Sequence, residues 1–244
     1  MQKNGGLSCG ALILAAGSGR RMSAAKKKNA NENKLFLEIG GIPTLAHTLL
    51  AFEECNVIDK IVLATRECDI PLCKQLAEDF GISKLVSIIC GGDERQQSVE
   101  KGLGELKGKC ELVAIHDGAR CLIEPNDIER TVREAHKFGA ASLAVPCTDT
   151  LKKIGSDMCI EADIERAGVY RVQTPQVFHL EAIAAAHKKA AEDGFAATDD
   201  CSVATHAGIG VRLVEGSVLN MKLTTADDLE LMEAVVSHRR ARHI

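Results

Sequence analysis

Residues 12–22 read Leu-Ile-Leu-Ala-Ala-Gly-Ser-Gly-Arg-Arg-Met, an apolar run entering a glycine turn that ends on two arginines. Backbone N–H groups freed by such a turn face phosphate oxygens, and arginine grips phosphate in a fork. Lys34 follows after a short loop, and the combination describes a polyphosphate site. The turn is not a dinucleotide fingerprint, because Met22 stands where the third glycine belongs, and no P-loop lysine motif occurs. Arg20 and Arg21 as plain surface residues at a helix start are disfavoured, since cations sit poorly there unless an anion is near.

Further candidates recur along the chain. Gly91-Gly92-Asp93-Glu94-Arg95-Gln96-Gln97-Ser98 follows an apolar run; its glycines allow close approach by a ligand, and Asp93 reads as the N-cap of the next helix. His116-Asp117-Gly118-Ala119-Arg120 sits at another strand end, where Asp117 can hold Mg²⁺ beside phosphates and Arg120 can take a substrate phosphate. Gln173-Thr174-Pro175-Gln176 offers a hydroxyl and amides for a polyol or phosphate. Thr198-Asp199-Asp200 reads equally as a capping cluster, and Lys222, taken singly, as a surface lysine. The stretch 23–33, with Lys26, Lys27 and Lys28, reads as a solvated loop or as a flap over a bound nucleotide.

The elements that must position these residues are α/β in pattern. Apolar runs at 11–15, 60–64, 85–89, 112–115 and 141–145 alternate with helical spacings such as Leu45/Leu49/Phe52, Val99/Leu103/Leu106 and Ile128/Val132/Ala135. Strands apolar on both faces predict a mainly parallel sheet flanked by helices. Between 149 and 173 short strand-like pieces around Gly155-Ser156-Asp157 predict an antiparallel arm, which would pack on a second subunit. Helices are expected at 180–191, 198–207 and 226–238, and a strand at 211–214.

The bulk numbers narrow the classes. The chain has 244 residues, 45% hydrophobic, enough for one large α/β domain or two small ones, and 1–244 reads as a single one. A formal net charge of −4 gives no basic excess for nucleic acid. The 10 cysteines include no C-x-x-C pair, which argues against zinc and for core thiols in a reducing, cytoplasmic compartment. No secretory signal and no membrane-length run is expected.

The ordered set AAGSGRRM (15–22), NKLF (33–36), GGDERQQS (91–98), HDGAR (116–120), DT (149–150), Arg166, QTPQ (173–176), TDD (198–200) and VEGSVLNMKLT (214–224) resembles the 2-C-methyl-D-erythritol 4-phosphate cytidylyltransferase family, from about residue 9 to 236. The resemblance implies a Rossmann-like nucleotidyltransferase fold and a homodimer in the non-mevalonate isoprenoid route. It implies that CTP and a polyol phosphate, with Mg²⁺, give a CDP-alcohol and pyrophosphate. On the same basis Arg21 and Lys34 stabilise the transition state. Lys222 and Arg166 position the polyol phosphate, Arg166 from the partner's arm. Asp117, Arg120 and Thr174 line the substrate side. Ala15, Ala16, Gly17, Gly92, Asp93 and Ser98 hold the nucleotide.

Departures from the family pattern are Asn33 in place of a proline, Gly118 and Cys121 in the HDAARP stretch, and Leu219 where an aspartate is usual. A ribitol-5-phosphate cytidylyltransferase shares the pattern. An NAD(P)-binding oxidoreductase and an inactive nucleotide-binding regulator are the readings from other classes, the former opposed by Met22 and the latter by the set Arg21, Lys34, Asp117 and Lys222.

Overall fold

The structure, a computed structural model, describes residues 8–17 and 33–242. Arg20, Arg21, Met22 and the lysines at 26–28 lie outside the described residues. Strand β1 (Cys9–Leu14) is followed by a short helical turn (Lys34–Phe36), a small hairpin of β2 (Glu38–Ile39) and β3 (Ile42–Pro43), and helix α1 (Thr44–Glu54). Next come β4 (Ile58–Thr65), α2 (Ile70–Asp79), β5 (Leu85–Cys90), α3 (Arg95–Leu106), β6 (Leu112–Asp117), α4 (Pro125–Phe138) and β7 (Ala140–Pro146). The chain ends with β8 (Leu151–Ile154), β9 (Ile160–Ile164), β10 (Tyr170–His179), α5 (Leu180–Glu192), α6 (Asp200–His206), β11 (Arg212–Glu215) and α7 (Ala226–Arg242).

Seven strands form the main sheet in the order β11-β7-β10-β6-β1-β4-β5, with only β10 running antiparallel to its neighbours. Successive side chains of β1 leave on opposite faces. Ala11 and Ile13 enter a core shared with Leu45, Leu49 and Phe52 of α1 and Ile128 and Val132 of α4. Leu12 enters a second core with Val99 and Leu103 of α3 and Ile183 of α5. Both faces being covered is why these strands are apolar throughout. Helix α4 shows the local logic: proline in the first turn, buried Ile128, Val132 and Ala135 one turn apart, and Gly139 at φ 92° closing it onto Ala135 O.

Three features depart from the sequence reading. Helix α2 was not expected; its buried stripe is only Cys73, Leu76 and Ala77, too weak a period among polar neighbours. Strand β10 runs on through Gln173-Thr174-Pro175-Gln176, which the sequence suggests is a segment following the arm. Proline argues against a central strand, but here the ladder to β7 breaks between Val172 and Gln176, so the missing N–H costs no sheet bond. Asp93 is not the cap of α3: that position is Glu94, and the Gln97 side chain accepts from the N–H groups of Asp93 (2.9 Å) and Glu94 (3.4 Å).

The arm predicted at 149–173 is present as the antiparallel hairpin of β8 and β9, and β10 carries the chain from it back into the sheet. Ile154, Met158, Ile160 and Ile164 are exposed on it.

Candidate active site

The site forms where the sheet order reverses. From β1 the chain moves outward through β4 to β5, then returns to lay β6 on the other side of β1. The crevice between the carboxyl ends of such strands is the usual ligand position in open α/β sheets. The strand ends are stitched together there: Ala15 N–H donates to Ala64 O (2.7 Å), Gly91 N–H to Thr65 O (2.8 Å) and Gly118 N–H to Leu14 O (2.9 Å).

A cavity of about 780 Å³ opens at this rim. Of the residues the sequence singles out, Ala15, Ala16, Gly17, Lys34, Gly92, Asp93, Ser98, Asp117 and Lys222 line it. The glycines at 91 and 92 answer to packing: a Cβ on Gly91 would lie 2.5 Å from Ala16 Cβ, and one on Gly92 2.3 Å from Gln97 Cβ. Ser98 is 4% exposed; its Oγ accepts from Gly92 N–H (2.9 Å) and donates to Glu94 O (3.3 Å), so it shapes the loop that forms the wall.

Asp117 is the electrostatic centre. Its Oδ2 lies 2.9 Å from Lys222 Nζ and 3.5 Å from Arg120 Nε. Burial alone would raise its carboxyl, but Lys222, Arg95 and Arg120 outweigh burial and hold it well below the usual carboxylate range. Its backbone N–H donates to Thr174 Oγ1 (3.1 Å), leaving that hydroxyl to donate to His116 Nδ1 (3.0 Å). His116 Nε2 then donates to Arg120 O (3.3 Å), which fixes a neutral imidazole. Burial pushes His116 down to about 3, against the pull of Asp117. Thr174 (4% exposed) thus stands behind Asp117 rather than on the cavity wall. Arg120 is also behind it: Nη1 donates to Asn220 O (2.8 Å), and Nε is buried without a hydrogen bond. Asn220 Nδ2 donates to Thr174 O (2.9 Å) and Gln173 Oε1 (3.2 Å), tying the segment that carries Lys222 to β10.

Lys34 reaches the same segment, its ammonium donating to Leu223 O. Asn33, the departure from proline, caps the turn: Oδ1 accepts from Leu35 N–H (3.2 Å) and Nδ2 donates to Asp69 Oδ2 (2.7 Å). The sequence reading did not assign two arginines that line the cavity, Arg66 and Arg95. Arg66 follows β4 and Arg95 opens α3, so their position at a strand end and a helix start was the available signal. Arg95 Nη2 bonds the fully buried Asp200 (2.6 Å), which His187 Nε2 also contacts (3.1 Å). The Thr198-Asp199-Asp200 cluster also caps: Asp199 Oδ1 accepts from Ser202 N–H (2.9 Å).

Arg166 is exposed on the arm, where Nη1 donates to Thr148 O (2.5 Å), and it is not part of its own chain's cavity. Among the described residues no three His, Cys, Asp or Glu gather as a metal cage. Asp117, ionised at the cavity wall, fits instead a hard ion carried chiefly by phosphates, since Mg²⁺ keeps waters and needs only one or two carboxylates. No helix among the described residues is long and apolar enough to cross a membrane.

Comparison with known proteins gives a consistent result. The family profile of IspD, 2-C-methyl-D-erythritol 4-phosphate cytidylyltransferase, matches residues 9–238. The chain is 40% identical to the protein of that name from Syntrophus aciditrophicus (strain SB) over 95% of this chain and 97% of that one. It is 41% identical to its namesake from Geobacillus kaustophilus (strain HTA426) over 95% and 98%. The crystal structure of 4-diphosphocytidyl-2C-methyl-D-erythritol synthase from Anaerococcus prevotii DSM 20548 superposes with a TM-score of 0.82 at 30% identity, covering 96% of this chain and 100% of that one. These relationships set aside the oxidoreductase reading, and the chain belongs to the 2-C-methyl-D-erythritol 4-phosphate cytidylyltransferase family of nucleotidyltransferases.

Proposed function

We propose that this chain transfers the cytidylyl group of CTP to 2-C-methyl-D-erythritol 4-phosphate. The carrying observation is the cavity at the β1/β6 rim, where backbone from 15–17 and 92 meets Lys34, Lys222 and the ionised Asp117. A phosphate oxygen of the polyol phosphate attacks the α-phosphorus of CTP in line. The new P–O bond forms as the bond to the bridging oxygen breaks, and pyrophosphate leaves with that electron pair. The nucleophile is already an anion, so no general base is needed, and catalysis is positioning plus charge stabilisation.

In this reading the edges of Ala15–Gly17 and Gly92 hold the cytidine, with Asp93 and Ser98 completing that wall. Lys34 and Arg21, the latter outside the described residues, face the charge that builds on the transferring phosphoryl group. Lys222, held by Asp117, positions the polyol phosphate, and Arg120 and Thr174 brace Asp117 from behind. Mg²⁺, when bound beside Asp117, offsets the charge of the triphosphate. Arg166 serves the partner's cavity in a homodimer, a role supported by its absence from the lining of its own chain's cavity and by the exposed apolar residues of the arm. The whole chain acts as one nucleotidyltransferase domain, and its ten free thiols suit a reducing cytoplasm.

The test is pyrophosphate release from CTP with methylerythritol phosphate and, separately, with ribitol 5-phosphate. Faster turnover of the first is expected. Preference for ribitol 5-phosphate would reassign the substrate, and no release with either would end the reading.

A further inference from the structure

Asp69 takes no part in the reaction as described, yet it is 7% exposed and sits beside the cavity between β4 and α2. It occupies the N-cap position of α2, where a carboxylate ordinarily accepts from its own helix, and it makes no such bond. Its oxygens point elsewhere. Oδ2 accepts from Asn33 Nδ2 (2.7 Å) and Arg66 Nε (2.6 Å), and Oδ1 accepts from Arg66 Nη2 (2.9 Å) and weakly from the Cys68 thiol (3.7 Å).

Both partners lead to the cavity. Arg66 lines it directly, next to Thr65, whose carbonyl holds Gly91 of the nucleotide wall. Asn33, 8% exposed, spends its other amide atom on Leu35 N–H, and its carbonyl accepts from Phe36 N–H (3.0 Å). The turn so fixed begins with Lys34, and Leu35 (3% exposed) pins it from the core.

We propose that Asp69 is a positioning residue: through Asn33 it fixes the backbone that presents Lys34, and directly it holds the Arg66 guanidinium on the nucleotide side of the cavity. The inference rests on the cytidylyl-transfer reading, in which Lys34 faces the transition state. A charge displaced by about 1 Å there loses about a hundredfold in rate.

Asn33→Ala is expected to lower kcat about tenfold or more, with KM for CTP within about twofold, because the charge is misplaced and not removed. Asn33→Pro recovers most of that loss: the native φ of −72° is one a proline ring imposes. Asp69→Ala lowers kcat similarly and also raises KM for CTP, since Arg66 is released. Adding Asn33→Pro to Asp69→Ala restores kcat but not KM. Far-UV circular dichroism checks folding, and if Asp69→Ala does not fold, the two Asn33 variants decide. Wild-type turnover in Asn33→Ala, or an Asn33→Pro variant as slow as Asn33→Ala, overturns this inference alone. An unaltered chain that releases no pyrophosphate overturns the cytidylyl-transfer reading and this inference together.

Discussion

Charged groups at the end of β6 and on the hairpin of β8 and β9 are handled in opposite ways. At the end of β6, Asp117, Arg120 and Lys222 are tied by ion pairs to one another, and hydrogen bonds through Thr174, His116 and Asn220 join β6, β10 and the segment that carries Lys222. On the hairpin, Lys153 and Glu161 pair at 3.0 Å but are 68% and 49% exposed, and apolar side chains such as Ile160 stand in water. Buried charges must be paired and hydrogen-bonded, and although Arg120 Nε is left without a hydrogen bond, the many partners of the rim hold its charges in place. Exposed pairs contribute little, about 0–1 kcal/mol, and fix nothing. The rim is therefore built to hold charge still, whereas the hairpin leaves its ion pairs and its apolar side chains in solvent.

The sharpest test of the rim is removal of a charge aimed at the reaction. Lys34→Ala and Arg21→Ala should each lower kcat by about a hundredfold to a thousandfold with the fold intact, read by steady-state pyrophosphate release and circular dichroism. Near-normal turnover in both would mean that the rim does no catalysis.

The hairpin is tested by complementation. Arg166→Ala should raise KM for the polyol phosphate more than for CTP. Mixed one to one with Lys34→Ala subunits, it should recover about a quarter of wild-type activity, because half the dimers are hybrids and each hybrid has one intact site. No recovery would place Arg166 in its own chain's site and leave the hairpin without a catalytic role.

The smallest effect concerns stability. Above about pH 6.5 His116 is neutral in both folded and unfolded chains. Burial depresses the folded value to about 3, so as the pH falls the unfolded chain takes up a proton that the folded chain refuses. Stability is therefore whole above the unfolded value and lost on acidification, by at most about 1.4 kcal/mol per pH unit from this residue. Urea unfolding at pH 7, 5.5 and 4.5 should show this slope, and His116→Gln should remove it. The change between pH 7 and 5.5 reports His116, because Asp117 and Asp200, whose folded values are lowered, cost stability only once the unfolded carboxylates begin to protonate, below about pH 5.

Much of this was legible in the chain itself, because two-sided apolar strands and one-sided helices leave periods that survive without a structure. Residues 112–115 and Ile128/Val132/Ala135 show it plainly. The strand-end motifs were legible for the same reason: a polar residue directly after a buried strand must lie at the rim. Helix α2 was not, since its stripe holds one leucine, Leu76, beside Cys73 and Ala77, and neither was the reach of β10 through Pro175, whose tolerance depends on a break in the ladder to β7.

The sequence by itself determined the α/β class, the order of the strand-end motifs and the family they mark. Only the tertiary structure decided which of those residues face the cavity and which stand behind it. Thr174 and Arg120 brace Asp117, Asn33 takes over a cap, and Arg66 and Arg95 enter the wall. The reason is that local periodicity records which side of an element is buried, whereas the partner of a polar atom is chosen by residues dozens of positions away, such as Asp69 for Asn33 and Asp200 for Arg95.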